Sequence, residues 1–103
     1  MIYHVTSQLQ WLKAIDSGYF SEPSLEQEGF IHMSKLEQVA GVLSRYYKNQ
    51  SNLVLLHVDE NKVLAPLKYE HSPSVNEEFP HIYGTINLEA VIKVETLPDA
   101  DQG

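Results

Sequence analysis

The sequence predicts an α+β fold, in which two helices of the N-terminal half pack on a curved or split, mainly antiparallel β-sheet. Helical periodicity is confined to residues 7–47, whereas residues 53–95 form a succession of short strand-like runs. Because strands follow one another there, the pattern differs from the strand–helix alternation of a parallel sheet. The 103 residues suffice for a single domain, predicted over residues 1–97, with residues 98–103 as a flexible tail.

The first strand is predicted at residues 2–6 and leads directly into the first helix. Ser7 followed by Gln10 is typical of a capping box at a helix start. Apolar residues then recur at helical spacing, at Leu9, Trp11, Leu12 and Ile15. Gly18 is a suitable C-terminal stop, and residues 19–29 are expected to form a loop that contains Pro23 and an acidic patch.

The second strand, at residues 30–33, leads into the stronger of the two predicted helices. Ser34 and Glu37 are predicted to form its capping box. One helical face is apolar and consists of Leu36, Val39, Ala40, Leu43, Tyr46 and Tyr47. Residues 49–52 form a polar break that ends this half of the chain.

The second half begins with a nearly continuous apolar run at residues 53–58, which predicts a central strand covered on both faces. Residues 59–62 resemble a turn and residues 67–70 another short strand. A polar loop is expected at residues 71–78. Further strands are expected at residues 82–86 and 91–95, with a turn at residues 87–89 between them.

Composition excludes several classes of protein. No run approaches the roughly 20 apolar residues of a membrane span, and the N-terminus lacks the pattern of a signal peptide. We therefore expect a cytoplasmic protein that does not bind membranes. With no cysteine, thiolate chemistry and cysteine-based zinc sites are excluded. No metal is predicted, because no two histidines have the spacing of a common ligand pair.

The net charge of −7 argues against non-specific binding to duplex nucleic acid, which depends on basic side chains. Arg45 is the only arginine, so a site built on several arginine–phosphate pairs is impossible. Glycine-rich phosphate loops, the His-Glu-x-x-His motif and the nucleophile elbow are all absent from the sequence. The sequence does not indicate an oligomeric state.

Three histidines in strand-like strings are the main chemical signal. Alternation along a strand places His4 on one face with Thr6, His32 with Ser34, and His81 with Tyr83. Histidine titrates close to neutral pH and suits proton transfer or anion recognition. The alternative is that each is a half-buried strand histidine whose hydrogen bonds are structural.

Two further residues have competing interpretations. Ser34 lies where a strand meets a helix, so it is expected to cap the helix and is also placed to contact an anion. Glu70 ends a predicted strand, where it would serve as a general acid, a base or an acceptor for ribose hydroxyls, or stay solvated.

The strings Glu28-Gly29-Phe30-Ile31-His32-Met33-Ser34 and Phe79-Pro80-His81-Ile82-Tyr83-Gly84, together with Ile2-Tyr3-His4, resemble an uncharacterised bacterial family of domains of unknown function. The resemblance extends to about Leu97. That family is itself similar to a minimal ADP-ribosyltransferase fold. The resemblance therefore implies a single ADP-ribosyltransferase-like domain, whose split sheet forms a cleft large enough for NAD.

The resemblance also implies roles for particular residues. His4 matches a first-strand histidine that contacts the adenosine ribose, and His32 takes a position that contacts nicotinamide. The late-strand position, often a glutamate, corresponds to the segment with His81 and Tyr83, with Glu70 just upstream. The implied catalytic residues are His4, His32, Glu70 and His81, and the implied cofactor-binding residues are His4, Thr6, His32, Ser34 and Tyr83.

The implied function is NAD-dependent ADP-ribosyl or phosphoryl transfer to an unknown acceptor, with NAD or ADP-ribose as the small nucleotide ligand. The histidine-rich set is most similar to the RNA 2′-phosphotransferase branch, although that branch relies on arginines and this chain has only Arg45. The alternative is a non-catalytic module that binds a nucleotide or a partner in the same histidine-lined cleft. A third interpretation is purely structural.

Overall fold

The computed structural model of the chain describes residues 1–98, so most of the predicted flexible tail lies outside the described residues. The helices are α1 (Gln8–Ser17), α2 (Pro23–Glu28) and α3 (Val39–Tyr46). The strands are β1 (Ile2–Ser7), β2 (Tyr19–Phe20), β3 (Ile31–His32), β4 (Leu53–Val58), β5 (Leu67–Ser72), β6 (Glu77–Ile82), β7 (Ile86–Asn87) and β8 (Val91–Thr96). No helix within residues 1–98 is both long enough and apolar enough to cross a membrane.

The strands form two three-stranded antiparallel sheets and one short ladder. The first sheet has the order β1-β4-β8, the second sheet has the order β3-β6-β5, and β2 pairs with β7. An isolated bridge joins the edges of the two sheets through reciprocal backbone hydrogen bonds between Tyr3 and Ser34, at 2.8 and 2.7 Å. The α+β class with antiparallel sheets is thus confirmed.

The apolar run in β4 forms the centre of the first sheet, as predicted. Alternation along β4 sends Leu56 into one core cluster and Leu55 into the other. The larger cluster also contains Ile2, Phe20, Ile31, Ile82 and Ile86. The smaller cluster packs α3 against the other face of the sheet, through Tyr3, Val5, Val39 and Leu53. Both faces of β1 and β4 are therefore covered.

The predicted ends of α1 are confirmed. The Ser7 hydroxyl accepts a hydrogen bond from the Gln10 N–H at 3.1 Å, and Gly18 ends the helix at a φ of 90°, a conformation that glycine adopts without strain. The apolar face of α1 is only partly used, because Ala14 and Trp11 pack on the core. Three other apolar side chains on this helix stay more than half exposed, at Leu9, Leu12 and Ile15.

The capping box predicted at Ser34 and Glu37 is wrong. Ser34 is held in the bridge to Tyr3, and a 3-10 turn at residues 36–38 separates it from α3. The local cap lies one residue later, where the Gln38 side-chain oxygen accepts from the Lys35 N–H at 2.9 Å. Strand pairing of the Ser34 backbone excludes the helix start that the Ser-x-x-Glu pattern favours.

Two predicted loops contain regular structure. Residues 23–28 form α2, because Pro23 is favourable in the first turn of a helix and Gly29, with φ 89°, ends it. Residues 71–78 belong mostly to a β5–β6 hairpin, whose turn includes Asn76 with φ 54°. The predicted strand at 82–86 is displaced, since β6 ends at Ile82 and β7 begins at Ile86.

Candidate functional site

A cavity of about 560 Å³ lies where β1, β3, α3 and the β5–β6 hairpin meet. This volume falls within the roughly 300–1,000 Å³ that is typical of small-molecule sites. One wall is polar and contains His4, Glu22, His32, Ser34 and His81. Another part of the lining is apolar and aromatic, with Val42, Tyr46, Tyr47 and Phe79. Residues 71–74 of the hairpin complete the lining.

Strand alternation explains how the second sheet contributes to this cavity. His32 pairs with His81, and His81 pairs with Lys68, so one row of side chains crosses all three strands on one face. The opposite face carries Ile31 and Ile82, which belong to the larger core cluster. The second sheet is therefore covered by the core on one face and carries titratable side chains on the other.

His4 forms a buried ion pair with Glu22, with side chains 8% and 16% exposed. Its Nδ1 lies 2.6 Å from the His32 carbonyl oxygen and its Nε2 lies 2.9 Å from Glu22 Oε1. A carbonyl and a carboxylate only accept, so the imidazole donates at both nitrogens as an imidazolium. Thr6 also donates to Glu22 Oε1, at 2.8 Å. Both nitrogens of His4 are thus engaged, which holds the ring in the cavity wall.

Glu22 has opposing influences on its ionisation. Burial raises the pKa of Glu22, whereas hydrogen bonds from His4 and Thr6 and the charge of His4 lower it. The lowering effects together exceed that of burial, so the pKa lies below the ordinary value. The charge of Glu22 also reaches Tyr47, whose pKa is raised by burial and by this carboxylate. Tyr47 donates its hydroxyl to the Val5 carbonyl oxygen at 3.1 Å, which fixes the ring in the cavity wall.

His81 is held by a second carboxylate. Its Nδ1 lies 2.8 Å from Glu70 Oε1, which also accepts a short hydrogen bond from the Tyr83 hydroxyl. The Tyr83 and His81 hydrogen bonds lower the pKa of Glu70, and the bond to Glu70 raises the pKa of Tyr83. The Lys68 ammonium lies 5.0 Å from the centre of the Tyr83 ring. Glu70 is therefore ionised at neutral pH, and His81 donates from Nδ1.

His32 forms the third histidine–glutamate pair, with Nε2 2.8 Å from Glu28 Oε2. The pair is half exposed, at 52% and 49%. Phe30 packs against both histidines of this sheet, whose own ring centroids lie 5.3 Å apart. Its ring stacks on His81 with centroids 4.1 Å apart and meets the edge of His32 at 4.8 Å. The aromatic ring therefore fixes both imidazoles on the open face.

Ser34 presents a different kind of feature. The residue is only 6% exposed and borders the cavity. Its backbone is paired with Tyr3, but its hydroxyl has no hydrogen-bond partner among residues 1–98. No side-chain oxygen or nitrogen that is buried from solvent lacks a partner among the described residues, so the Ser34 hydroxyl is solvent-accessible and open to hydrogen bonding by a ligand.

The structure places the predicted site residues in two groups. Four of them border the cavity, namely His4, His32, Ser34 and His81. Three others do not border the cavity and are connected to a lining residue by hydrogen bonds. Thr6 binds Glu22, Glu70 binds His81, and Tyr83 binds Glu70. Arg45 is not part of the lining, and its guanidinium lies over the Tyr46 ring.

Several residues in the cavity or paired with its lining were missed by the sequence reasoning. Glu28 precedes His32 by four residues, a spacing that could have signalled their pairing. Glu22 pairs with a histidine 18 residues away, through a turn that the sequence did not reveal. The aromatic lining residues Tyr47 and Phe79 were assigned only to a helix face and a strand face.

The described part of the chain contains no group of three or more histidine, aspartate or glutamate side chains placed to hold a metal ion. Each of the three histidines has one nitrogen directed at a glutamate instead. The absence of a bound metal remains a prediction.

The fold and cavity define a small α+β domain with two antiparallel sheets and a site rich in histidine. Residues 5–94 match DUF952, a family of proteins of unknown function, and the chain belongs to that family. The resemblance to an uncharacterised family is thus confirmed at this level.

Solved structures of one bacterial protein are similar over nearly the whole chain. Crystal structures of CC0527 from Caulobacter crescentus and of its double mutant have a TM-score of 0.87 and 33% identity, covering 97% of this chain and 89% of that one. The solution NMR structure of CC0527 has a TM-score of 0.81 and covers 97% and 87% of the two chains. No curated protein matches the chain.

Proposed function

We propose that the cavity binds NAD or ADP-ribose and that the domain is an ADP-ribosyltransferase-like enzyme. One observation carries the proposal: a single cavity of nucleotide dimensions is lined by four histidines and by Ser34, whose hydroxyl is solvent-accessible. The split of the strands into two sheets joined at one bridge supports the fold assignment. The assignment also rests on the family resemblance of the Gly-Phe-Ile-His and Phe-Pro-His-x-Tyr-Gly strings.

The lining suits the two halves of a nucleoside. Tyr47 and Phe79 offer aromatic surface on which a base or a nicotinamide ring can stack. The polar wall offers hydrogen-bond groups for ribose hydroxyls, with Glu22 as an acceptor and Ser34 as a donor or acceptor. A ligand that spans the cavity would satisfy the Ser34 hydroxyl.

The charges predict which part of the ligand is held best. No lysine or arginine is among the residues that line the cavity, and both nitrogens of His4 are already engaged within the wall. A diphosphate would therefore be bound weakly. The ionised Glu22 favours the positively charged nicotinamide and the positive charge that develops on ribose as the glycosidic bond breaks.

In the proposed reaction, the bond between the ribose carbon and the nicotinamide nitrogen breaks, and its electron pair leaves with neutral nicotinamide. The acceptor forms a new bond to the same carbon. The domain would position the ligand on the aromatic lining and stabilise the oxocarbenium-like transition state with the Glu22 carboxylate.

Isothermal titration calorimetry with NAD and ADP-ribose tests the binding step. We expect weak binding by wild type and a loss of at least about tenfold, or 1.4 kcal/mol, in His32→Ala. Arg45→Ala is the matched control, because Arg45 lies outside the cavity and should leave affinity unchanged. Absence of binding to both ligands would overturn the proposal, as would loss of binding only in Arg45→Ala.

An assay of nicotinamide release from NAD tests the chemical step on the same samples. Binding without release would favour the non-catalytic module over the enzyme. Because half-exposed His32 contributes little to the core, the His32→Ala variant should fold, and its circular dichroism spectrum checks this.

A further inference from the structure

We infer that His81 is the general base that activates the acceptor, water or a hydroxyl group, and that Glu70 and Tyr83 are positioning residues behind it. This inference rests on the proposed function and assigns a chemical role within the same cavity. It also defines the acceptor by its chemistry, since a base of this kind removes a proton from an oxygen nucleophile.

Four histidines line the cavity, and one of them, His71, is exposed and has no carboxylate partner among residues 1–98. The hydrogen bonds of the other three separate their roles. His4 donates from both nitrogens and has no free lone pair for a proton. His32 uses Nε2 for Glu28 and is 52% exposed, so its free Nδ1 belongs to a solvated ring. His81 is 13% exposed, and its Nε2 has no partner among residues 1–98.

The surroundings of His81 resemble those of a held catalytic base. Glu70 accepts from Nδ1, which leaves the lone pair on Nε2, at the ring edge away from Glu70. Tyr83 donates to the same carboxylate oxygen and restricts its movement. Phe30 stacks on the imidazole at 4.1 Å and fixes its plane. His81 borders the cavity while Glu70 and Tyr83 lie behind it.

The proton transfer balances without another reactant. The oxygen of water attacks the ribose carbon as nicotinamide leaves with the electron pair of the broken bond, and Nε2 of His81 takes the proton from water. The imidazolium formed is stabilised by the ionised Glu70, as in carboxylate–histidine pairs of other acid–base sites. The products are ADP-ribose, nicotinamide and a proton that returns to solvent. A hydroxyl acceptor would react in the same way.

The chain offers a matched control pair. His57 Nε2 lies 2.9 Å from Glu95 Oε1, and the His57 side chain is 17% exposed, so the pair resembles His81 and Glu70 in distance and burial, although the other ring nitrogen is used. His57 packs against the Tyr3 ring and does not border the cavity. Glu95→Gln should therefore reproduce any general effect of neutralising a histidine-bound carboxylate.

The experiment compares wild type, His81→Gln, Glu70→Gln and Glu95→Gln in two assays, nicotinamide release from NAD and calorimetric binding of ADP-ribose. We expect kcat to fall roughly a hundredfold in His81→Gln and Glu70→Gln, a usual effect of losing a general base. ADP-ribose affinity and KM should change by less than about threefold. Glu95→Gln should match wild type in both assays.

The pH profile and the tautomer provide readouts that a structural role would not change. The decrease of kcat at acidic pH should disappear from the pH profile of His81→Gln. The titratable groups that surround His81 are Glu70 and Lys68 from β5, His32 from β3, and Tyr83. Long-range ¹H–¹⁵N spectra of wild type at pH 8 should show the hydrogen on Nδ1 of His81. Glu70→Gln should shift that tautomer, and Glu95→Gln should not.

Each outcome decides between the two proposals. If wild type binds neither NAD nor ADP-ribose, the proposed function and the base assignment fall together. If wild type binds but releases no nicotinamide, only the binding proposal survives. If His81→Gln and Glu70→Gln release nicotinamide as fast as Glu95→Gln, the base assignment alone is wrong. A hydrogen on Nε2 in place of Nδ1 also contradicts it.

Discussion

The two three-stranded sheets have the same size and the same antiparallel pairing, but they bury different amounts of their surface. In the first sheet, β1 and β4 are covered on both faces, so consecutive residues such as Leu55 and Leu56 are both buried. In the second sheet, Ile82 enters the core while its neighbour His81 borders the cavity. The same strand periodicity therefore builds a core in one sheet and a candidate site in the other.

Because of this difference, the first sheet contributes mainly to the core, whereas the second sheet carries most of the titratable residues of the candidate site. Titratable pairs on the second sheet stay accessible because the core occupies only its other face. The exception is His4, which belongs to β1 of the first sheet and lies at the edge that is bridged to Ser34. The cavity forms at that bridge, where the covered sheet meets the open one.

The largest loss of stability should follow the removal of a core side chain from the first sheet. Leu56→Ala removes a side chain that is fully buried in the larger cluster, and we expect it to destabilise the protein by about 3 kcal/mol. Ile92→Ala, on the exposed part of β8, is the control and should cost less than about 0.5 kcal/mol. Urea denaturation measures both. Similar midpoints for the two variants would contradict the description of β4 as a doubly covered strand.

Much of this division could be predicted from the sequence. The nearly continuous apolar run at residues 53–58 identified the central strand, and alternation placed His32 on one face with Ser34 and His81 on one face with Tyr83. The partners of these histidines could not be predicted. Glu22 pairs with His4 across 18 residues of sequence, a separation that leaves no local signal, and Ser34 is fixed by long-range strand pairing that overrides a local capping pattern.

A smaller effect is expected for the buried ion pair at the junction of the sheets. Glu22→Gln leaves the His4 imidazolium without its counter-charge, and we expect a loss of about 2 kcal/mol at pH 7. Glu28→Gln changes the half-exposed pair on the second sheet and should cost less than about 0.5 kcal/mol.

The pH dependence of this difference has a defined sign. Because the folded-state pKa of Glu22 lies below the ordinary value of 4.5, its contribution is present above that value and is lost as the pH falls through the folded-state pKa. The difference in free energy of unfolding between wild type and Glu22→Gln should therefore become smaller as the pH is lowered below about 4.5. A difference that grows in acid would show that the pair is not stabilised by an ionised carboxylate.

Two serines provide the finest comparison. Ser7→Ala removes a true N-cap and should cost about 1 kcal/mol. Ser34→Ala removes a hydroxyl without a partner in the described chain, so the free energy of unfolding should change by only a few tenths of a kcal/mol. Thermal denaturation compares the two. ADP-ribose affinity should fall only in Ser34→Ala. A larger loss of stability in Ser34→Ala than in Ser7→Ala, or a loss of affinity in Ser7→Ala, would contradict the placement of these residues.

The most direct test of the account is a ¹H–¹⁵N NMR titration of the wild-type protein with ADP-ribose. If the open face of the second sheet and its bridge to β1 form the ligand site, shift changes should concentrate on amides around His4, His32, Ser34 and His81. Amides in α1, which lies outside the cavity, should stay unchanged. Absence of shift changes, or changes centred on α1, would contradict the assignment of this cavity as a nucleotide site.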